Sequence, residues 1–315
     1  VYDAAGRAYK TVDGVSGRAD WTCYDETGRV TRTVQNAPGD PCGTGWSPSS
    51  AADEDVATAS TYDAATGRQI AVTAADGQIT RTYFDETGRQ VAQTANLTGQ
   101  AIAVETVPAY NPTFPDQNVT TRWGYDALGR TITTTVAAGS AQAQTTYTCY
   151  DALGRVAKTV LNPSVADPCG SYTPSSQTDR DVATTYTYDA AGNQIATTDA
   201  LGRITRTYYD DLGRTIAVVA NLAGQAITVT TVPAFDPAFP DRNVRAFTSY
   251  DAAGRVLETT DNAGLVTRST YDSLGRTITT TVHYVSGGPV DDVTNLASGT
   301  VYDKLGNVMR SIDAE

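Results

Sequence analysis

Four cysteines are the residues whose type and spacing point most directly to chemistry. Cys23 and Cys42 stand in the contexts TCYD and DPCG, and Cys149 and Cys169 repeat both contexts further along the chain. Where a third copy is due, Thr270 replaces the first cysteine and the DPCG segment is missing as well. Because both partners are lost together, we predict the disulfides Cys23–Cys42 and Cys149–Cys169. Each closes a loop of about 20 residues, worth about 3 kcal/mol in the chain-entropy model.

The alternative for the cysteines is zinc, but two isolated cysteines and one distant histidine lack the spacing of a zinc site. Oxidised cysteines predict an extracellular or cell-surface location, since such bonds persist in secreted proteins. No cofactor is expected.

Histidine and carboxylates are the other candidates for catalysis or metal binding. His283 is the only histidine, so no Ser-His-Asp or Cys-His arrangement can repeat and a two-histidine metal site cannot form within one chain. Two acidic clusters, 53–55 and 179–181, occupy equivalent places and suggest calcium, but the second contains Arg180, and no EF-hand or GGxGxD repeat is present. We therefore expect structural turn aspartates, no metal site and no enzyme activity.

Most of the aspartates belong to one repeated motif, Tyr-Asp-x-x-Gly-Arg, which recurs eleven times. One copy has Phe for Tyr, two end in Asn instead of Arg, and the copy at Tyr62 has a third residue between its Asp and its Gly. The copies comprise Tyr2, Asp3, Gly6 and Arg7; Tyr24, Asp25, Gly28 and Arg29; Tyr62, Asp63, Gly67 and Arg68; Phe84, Asp85, Gly88 and Arg89; Tyr125, Asp126, Gly129 and Arg130; Tyr150, Asp151, Gly154 and Arg155; Tyr188, Asp189, Gly192 and Asn193; Tyr209, Asp210, Gly213 and Arg214; Tyr250, Asp251, Gly254 and Arg255; Tyr271, Asp272, Gly275 and Arg276; Tyr302, Asp303, Gly306 and Asn307.

The motif predicts a hairpin tip, because Asp followed by Gly favours a type I turn closed by a left-handed glycine. Further turn signals lie between the tips, for example at Asp76-Gly77, Asp199 to Gly202 and Asp261 to Gly264, and leave strands of about 6 to 8 residues. We expect an antiparallel meander. We also expect the motif tyrosine to stack over the next hairpin, and the motif arginine to cross between strands and contact tyrosine.

A larger duplication organises the copies into unit 1 (1–124), unit 2 (125–249) and a partial, diverged unit 3 (250–315). Because the chain starts and stops inside copies of the motif, we expect it to be a fragment of a longer array. The strand at 203–209 distributes its apolar and polar residues evenly between its faces. This even distribution predicts a sheet with solvent on both sides, as in the wall of a hollow shell.

Composition supports an all-β fold, since Val, Thr and 18 Tyr outweigh the single Met and 5 Phe. The net charge of −12 argues against nucleic acid, which requires clustered Lys and Arg. No window reaches the roughly 20 apolar residues of a membrane helix.

The motif array resembles the RHS/YD-repeat family along the whole chain. In that family the repeats form a continuous antiparallel β-hairpin spiral, or solenoid, that encloses a hollow tube or shell, as in Tc toxins, bacterial polymorphic toxins and teneurins. A β-propeller is the rival fold, but its blades repeat at 40 to 50 residues.

The duplication, the paired cysteines and the lack of a catalytic constellation favour a non-catalytic extracellular scaffold of a bacterium, associating into a tube or fibre. One alternative is the shell of a secreted toxin whose effector lies outside this segment. Another is an adhesin that binds carbohydrate. Neighbouring repeats are the expected partners, with a cargo or a glycan as further ligands.

Long connections between strands supply the candidate contact surface for such partners. Their aromatic residues are Trp46, Tyr110, Phe114, Tyr172, Phe235 and Phe239, and packing within the chain is the alternative role. Asn96 and Asn118 match the N-glycosylation pattern, but their equivalents Asn221 and Asn243 do not, so we interpret the matches as chance.

Overall fold

The computed structural model describes residues 1–43, 45–48, 55–171, 177–290 and 293–313. Its regular secondary structure consists of 21 strands, and none of the described residues is helical. The strands are β1 (Lys10–Val12), β2 (Ala19–Tyr24), β3 (Val30–Ala37), β4 (Val56–Tyr62), β5 (Gln69–Thr73), β6 (Ile79–Phe84), β7 (Gln90–Ala95), β8 (Val119–Tyr125), β9 (Thr131–Val136), β10 (Gln144–Tyr150), β11 (Val156–Leu161), β12 (Val182–Tyr188), β13 (Gln194–Thr198), β14 (Ile204–Tyr209), β15 (Thr215–Ala220), β16 (Val244–Tyr250), β17 (Val256–Thr260), β18 (Val266–Tyr271), β19 (Thr277–Val282), β20 (Leu296–Tyr302) and β21 (Val308–Ile312). No helix able to cross a membrane occurs in these ranges.

The chain divides into two compact units. The first comprises Val1–Thr148 with Leu161–Asp181, and the second comprises Cys149–Val160 with Val182–Glu315. In the first unit, β1 to β9 and the start of β10 pair antiparallel, each strand with the next along the chain. In the second unit, β12 to β21 pair in the same way.

This succession confirms the prediction of an all-β chain of consecutive hairpins. Neither run of strands breaks into four-stranded blades, so the propeller alternative is wrong. Val, Thr and Tyr dominate the strands because their side chains suit a pleated, half-buried surface.

Each motif hairpin whose pairing is described carries an irregularity at the aromatic residue of the motif. Tyr209 pairs with Thr215, while its neighbour Tyr208 pairs with Ala217, so the strand after the tip holds one extra residue. The same shift occurs at Phe84 in the first unit. A bulge of this kind increases the local right-handed twist of the sheet.

Within each unit, the motif tips share one edge of the sheet, since each lies between an even-numbered strand and the next strand. The opposite edge carries the other connections, in which short turns alternate with long loops. The long loops span 38–55, 96–118, 162–181, 221–243 and 283–295.

One face of the sheet is covered by these loops. In β14, Arg206 and Tyr208 are buried, whereas Thr205 is exposed. Tyr208 packs in a cluster with Ala217, Val219 and Leu222, against which Ile227 and Val232 of the loop 221–243 also pack. The expectation of a sheet wetted on both sides is therefore wrong at this strand, because the loop folds back over one face.

Candidate functional site

The repeated motif forms a closed hairpin tip, illustrated by the copy at Tyr24. The N–H of Gly28 donates to the carbonyl of Asp25 at 3.0 Å, and the N–H of Asp25 donates to the carbonyl of Arg29 at 2.9 Å. Asp25 Oδ1 accepts from the N–H groups of Thr27 and Arg29, and Asp25 Oδ2 lies 2.7 Å from Arg29 Nε. Gly28 has φ +87°, a left-handed conformation that strains other residues. The motif Asp, Gly and Arg are thus all used to close one turn.

The motif arginine also joins its hairpin to the following one. The guanidinium carbon of Arg29 lies 4.7 Å from the ring centroid of Tyr62, the tyrosine of the next motif. Eight such pairs are described, at 4.2 to 5.7 Å: Arg7 with Tyr24, Arg29 with Tyr62, Arg68 with Phe84, Arg89 with Tyr125, Arg155 with Tyr188, Arg214 with Tyr250, Arg255 with Tyr271 and Arg276 with Tyr302. We call this series the arginine–tyrosine ladder.

The tyrosine hydroxyl makes the reciprocal contact. Tyr188 Oη donates to the carbonyl of Val156 at 2.9 Å, and Val156 directly follows Arg155, the arginine that stacks on the Tyr188 ring. The same bond, at 2.6 to 3.2 Å, is made by Tyr24, Tyr62, Tyr125, Tyr188, Tyr209, Tyr250, Tyr271 and Tyr302. Seven of the described joints therefore combine a cation–π contact with a hydrogen bond, whereas the joint at Phe84 has only the stacking contact and the joint at Tyr209 has only the hydrogen bond.

The long loops are closed by a clamp that the sequence reasoning missed. In the loop 96–118, Asn96 and Asn118 both have positive φ, and the N–H of Asn118 donates to the carbonyl of Asn96 at 3.0 Å. The side chain of Asn118 accepts from the N–H of Thr98, while that of Asn96 donates to the carbonyl of Asp116. Asn221 and Asn243 repeat this clamp in the second unit. The clamp could have been predicted from the asparagine that stands at each end of both duplicated connections.

These contacts give a structural role to the two glycosylation matches. Asn118 is buried, with its Nδ2 donating to the carbonyl of Thr98, and Asn96 donates its Nδ2 to Asp116. Both side-chain amides are engaged within the clamp, so the structure supports the interpretation of chance matches.

His283 occupies the asparagine position of the clamp in the loop 283–295. It has φ +48°, its carbonyl accepts from the N–H of Asn295 at 3.1 Å, and its Nδ1 lies 2.8 Å from the carbonyl of Val293. The lone histidine thus closes its loop with its backbone carbonyl and its side chain, as Asn96 does in the loop 96–118.

Asp181 is likewise a clamp residue. It is buried with φ +56°, and its Oδ1 accepts from the N–H of Ser164 at 2.8 Å. Its equivalent Asp55 also has positive φ, while Asp53 and Glu54 lie outside the described residues. Within the described ranges, no three His, Cys, Asp or Glu side chains are grouped so as to hold a metal ion.

Two arginines inside the sheet were not singled out by the sequence. Arg81 and Arg206 occupy equivalent positions in β6 and β14 and are almost fully buried. Arg206 Nε donates to the carbonyl of Ile227 at 2.7 Å, and its Nη1 donates to the carbonyls of Ile195 and Thr207. Burial lowers the pKa of both guanidinium groups from the ordinary arginine value. Each arginine ties its strand to a long loop.

The cysteines are all oxidised. Cys23 and Cys42 form a disulfide, and Cys149 and Cys169 are also disulfide-bonded, so the chain has no free thiol.

The predicted contact aromatics divide into packed and exposed residues. Trp46 packs against the cluster around Trp21, and Arg32 stacks on its ring at 4.8 Å. Tyr110 and Phe235 are half-buried. Phe114 and Phe239 are 49% and 48% exposed at equivalent loop positions. Tyr172 lies outside the described residues.

A family comparison matches the chain to the RHS repeat model at residues 174–204, 188–226 and 250–289. The chain contains RHS repeats. The resemblance inferred from the motif is thereby confirmed. No curated protein sequence matches the chain significantly.

Solved structures show the same fold along the chain. The crystal structures of TcdB2-TccC3-TEV, TcdB2-TccC3-Cdc42 and TcdB2-TccC3 without its hypervariable C-terminal region align with TM-scores of 0.62, 0.57 and 0.56, at 18%, 17% and 17% identity. The alignments cover 99%, 100% and 99% of this chain, which spans only 15% of each of those chains. The RHS repeats thus share the backbone arrangement of these structures.

The tyrosine hydroxyls of the repeated motif allow a matched pair of substitutions. Tyr188→Phe is expected to lower the free energy of unfolding by about 1 kcal/mol, because the bond to the Val156 carbonyl is lost while the ring stays under Arg155. Phe84→Tyr is expected to raise it by a similar amount, since Gln69 offers the carbonyl that is equivalent to Val156. Hydrogen exchange at β11–β12 and at β5–β6 measures both effects, and a change of the same sign in the two variants would contradict the assignment.

Acid is expected to destabilise the hairpins of the RHS repeats. The backbone N–H and then the side chain of Arg214 hold the pKa of Asp210 below its usual value, and the backbone N–H of Arg255 does the same for the pKa of Asp251. A carboxyl whose pKa is lower in the folded than in the unfolded protein stabilises the folded state at pH values above its unfolded pKa of about 4. This contribution is lost as the pH falls further. The melting temperature should therefore be steady near pH 6 and fall progressively below about pH 4.

Circular dichroism melts between pH 3 and pH 7 measure this dependence. Asp210→Asn removes one titrating group, so it should lower the melting temperature at pH 6 and reduce the further loss at pH 3. An unchanged pH dependence in the variant would count against the aspartate assignment.

Proposed function

We propose that this chain is part of a non-catalytic extracellular scaffold built of RHS repeats. The observation that carries the proposal is the arginine–tyrosine ladder, in which the reactive groups of the motif are used to join neighbouring hairpins. Asp25 is engaged by Arg29, and Arg29 is engaged by Tyr62. Such a motif stabilises a long array of similar units, where each unit contacts only its neighbours.

Two further observations support the extracellular and non-catalytic parts of the proposal. Disulfides such as Cys23–Cys42 persist in oxidising surroundings outside the cytosol. His283, the single histidine, is engaged in a loop clamp, and the motif aspartates such as Asp25 are bound within turns.

Electron microscopy of the native, full-length protein from the cell surface or medium tests this function. Long regular tubes or fibres are the expected result for a surface scaffold. A soluble, non-associating monomer recovered from the cytoplasm would overturn the proposal.

The second candidate is the wall of a shell that encloses the effector of a secreted toxin. The likeness to the TcdB2-TccC3 structures favours it, since 99% of this chain aligns with one of them at a TM-score of 0.62. The same microscopy distinguishes the two functions, because discrete hollow capsules with internal density would support the shell. An effector would then lie outside this segment.

A further inference from the structure

One joint of the arginine–tyrosine ladder lacks its arginine. Asn193 ends the motif at Tyr188, and its shorter side chain donates to Asp189 Oδ2 at 2.9 Å. The next motif residue, Tyr209, keeps its hydroxyl bond to the carbonyl of Gln194, but no described cation lies over its ring. The guanidinium found at the eight described joints of the ladder is therefore missing here, while its aromatic partner is present.

A cavity of about 620 Å³ occupies this joint, lined by Asp189, Asn193, Arg206, Tyr209, Asp210 and Asp211. The equivalent cavity of the first unit, where Arg68 lies 5.7 Å from the Phe84 ring, measures only about 360 Å³.

The larger cavity includes the place of the motif's last side chain, since both Asn193 and the tip glycine Gly213 line it.

The filled joints show what this space accepts. Arg255 binds the carboxylate of Asp251 at 2.8 Å, lies 4.5 Å from the Tyr271 ring and donates to the carbonyl of Asp272 at 3.2 Å. At the open joint the corresponding groups are the Asp189 carboxylate, the Tyr209 ring and the Asp210 carbonyl.

We propose that the cavity between the Asp189 and Asp210 hairpins binds the guanidinium group of an arginine side chain from another polypeptide. The inference rests on this local geometry and does not depend on the proposed scaffold function.

Charge favours a cation over an anion at this site. Three carboxylates, those of Asp189, Asp210 and Asp211, line the cavity together with the guanidinium of Arg206. In the first unit two guanidinium groups, those of Arg81 and Arg68, line the equivalent cavity together with four carboxylates, those of Asp63, Asp85, Glu86 and Glu105. The second unit has Thr230 at the position of Glu105, so three carboxylates face Arg206 and leave a net negative charge for one further cation. A planar guanidinium stacks on an aromatic ring and pairs with a carboxylate at once, which an ammonium group does less well.

Titration of the protein with N-acetyl-arginine amide, followed by NMR of the tyrosine ring signals, tests the site. A single side chain of this kind should bind with a dissociation constant of about 1 mM, corresponding to about −4 kcal/mol. N-acetyl-citrulline amide, which has the same shape but no charge, should bind at least about tenfold more weakly, since it loses the charge-assisted contacts. Equal binding of the two probes would overturn the proposal.

Variants locate the site. Asn193→Arg supplies the missing guanidinium from the chain itself and should abolish binding, whereas the matched Asn307→Arg should leave it unchanged. Arg68→Asn should open the equivalent cavity of the first unit and raise the stoichiometry by one. Unaltered binding in Asn193→Arg would exclude this cavity.

The variant Asp211→Asn tests binding at this site without disturbing the fold. Asp211 is exposed and has no bonded partner within the described part of the chain, so its replacement should preserve the fold. Binding of the arginine probe should weaken by about threefold at low salt, as expected for a loss of about 0.6 kcal/mol at a surface charge pair. Identical affinity in a folded Asp211→Asn variant would argue against a guanidinium beside this carboxylate.

Discussion

Replacing Arg206 by methionine is expected to lower the free energy of unfolding of the second unit by about 3 kcal/mol or more. The guanidinium is almost fully buried and donates to the carbonyls of Ile195, Thr207 and Ile227. These carbonyls belong to β13, β14 and the loop 221–243. Methionine fills similar volume but donates no hydrogen bond, so the carbonyls lose a charged donor and the loop loses its attachment to the sheet.

Arg203→Met is the matched control, because Arg203 directly precedes the same strand. Its side chain is 62% exposed and pairs with Asp199 in the adjoining turn. An exposed pair of this kind contributes at most about 1 kcal/mol. Loss of this arginine should therefore change stability little.

Hydrogen exchange in β13–β15 distinguishes the two variants, since stability in a repeat array is largely local. Arg206→Met should accelerate exchange there and along 222–232, while Arg203→Met should affect only the turn. Arg81→Met is expected to reproduce the effect in the first unit, because Arg81 donates to the carbonyls of Ile70 and Ile102 in the equivalent places. Similar exchange in Arg206→Met and Arg203→Met would contradict a structural role for the buried guanidinium.

The hairpin tips were predictable from sequence because their determinants are local. Asp25, Gly28 and Arg29 interact within one turn, and the left-handed glycine is readable from spacing alone. The β-rich composition and the turn signals between the motifs also indicated a meander. These features depend on residues that are close in sequence.

The partners of the tyrosines and arginines depend on which hairpin lies beside which. The sequence suggested that Arg and Tyr meet, and the structure shows the direction: Arg155 contacts the ring of the following Tyr188. The burial of Arg206 could not be predicted from the sequence for a related reason. In sequence it alternates with Ile204 and Tyr208 on a mixed face, and only the return of the loop 221–243 makes that face an interior one.

The loop clamps show a signal that was present but unrecognised. Asn221 and Asn243 bracket a duplicated connection, and both adopt positive φ, which asparagine tolerates better than most residues. His283 departs from asparagine at the same place, so the sequence pattern alone did not relate it to the other clamps. Its role follows from the backbone bond between Asn295 and His283.

Removal of the Cys23–Cys42 disulfide is expected to cost about 3 kcal/mol in the stability of the first unit. The bond spans 19 residues and joins β2 to the loop 38–55. That loop is also held by Arg32, which donates to the carbonyl of Pro41 at 2.6 Å and stacks on Trp46. The double variant Cys23→Ser, Cys42→Ser increases the entropy of the unfolded chain and leaves these contacts to hold the loop alone.

Hydrogen exchange in β2–β4, together with urea unfolding, measures the loss without reducing the bonds at Cys149 and Cys169. The loop 283–295 serves as the internal control, because it contains no cysteine and is closed by His283 and Asn295. Exchange should accelerate around Trp21 and Val34 and stay unchanged around His283. If stability and exchange in β2–β4 were unaffected, the contacts of Arg32 and Trp46 would suffice to fix the loop, and the disulfide would not stabilise this unit.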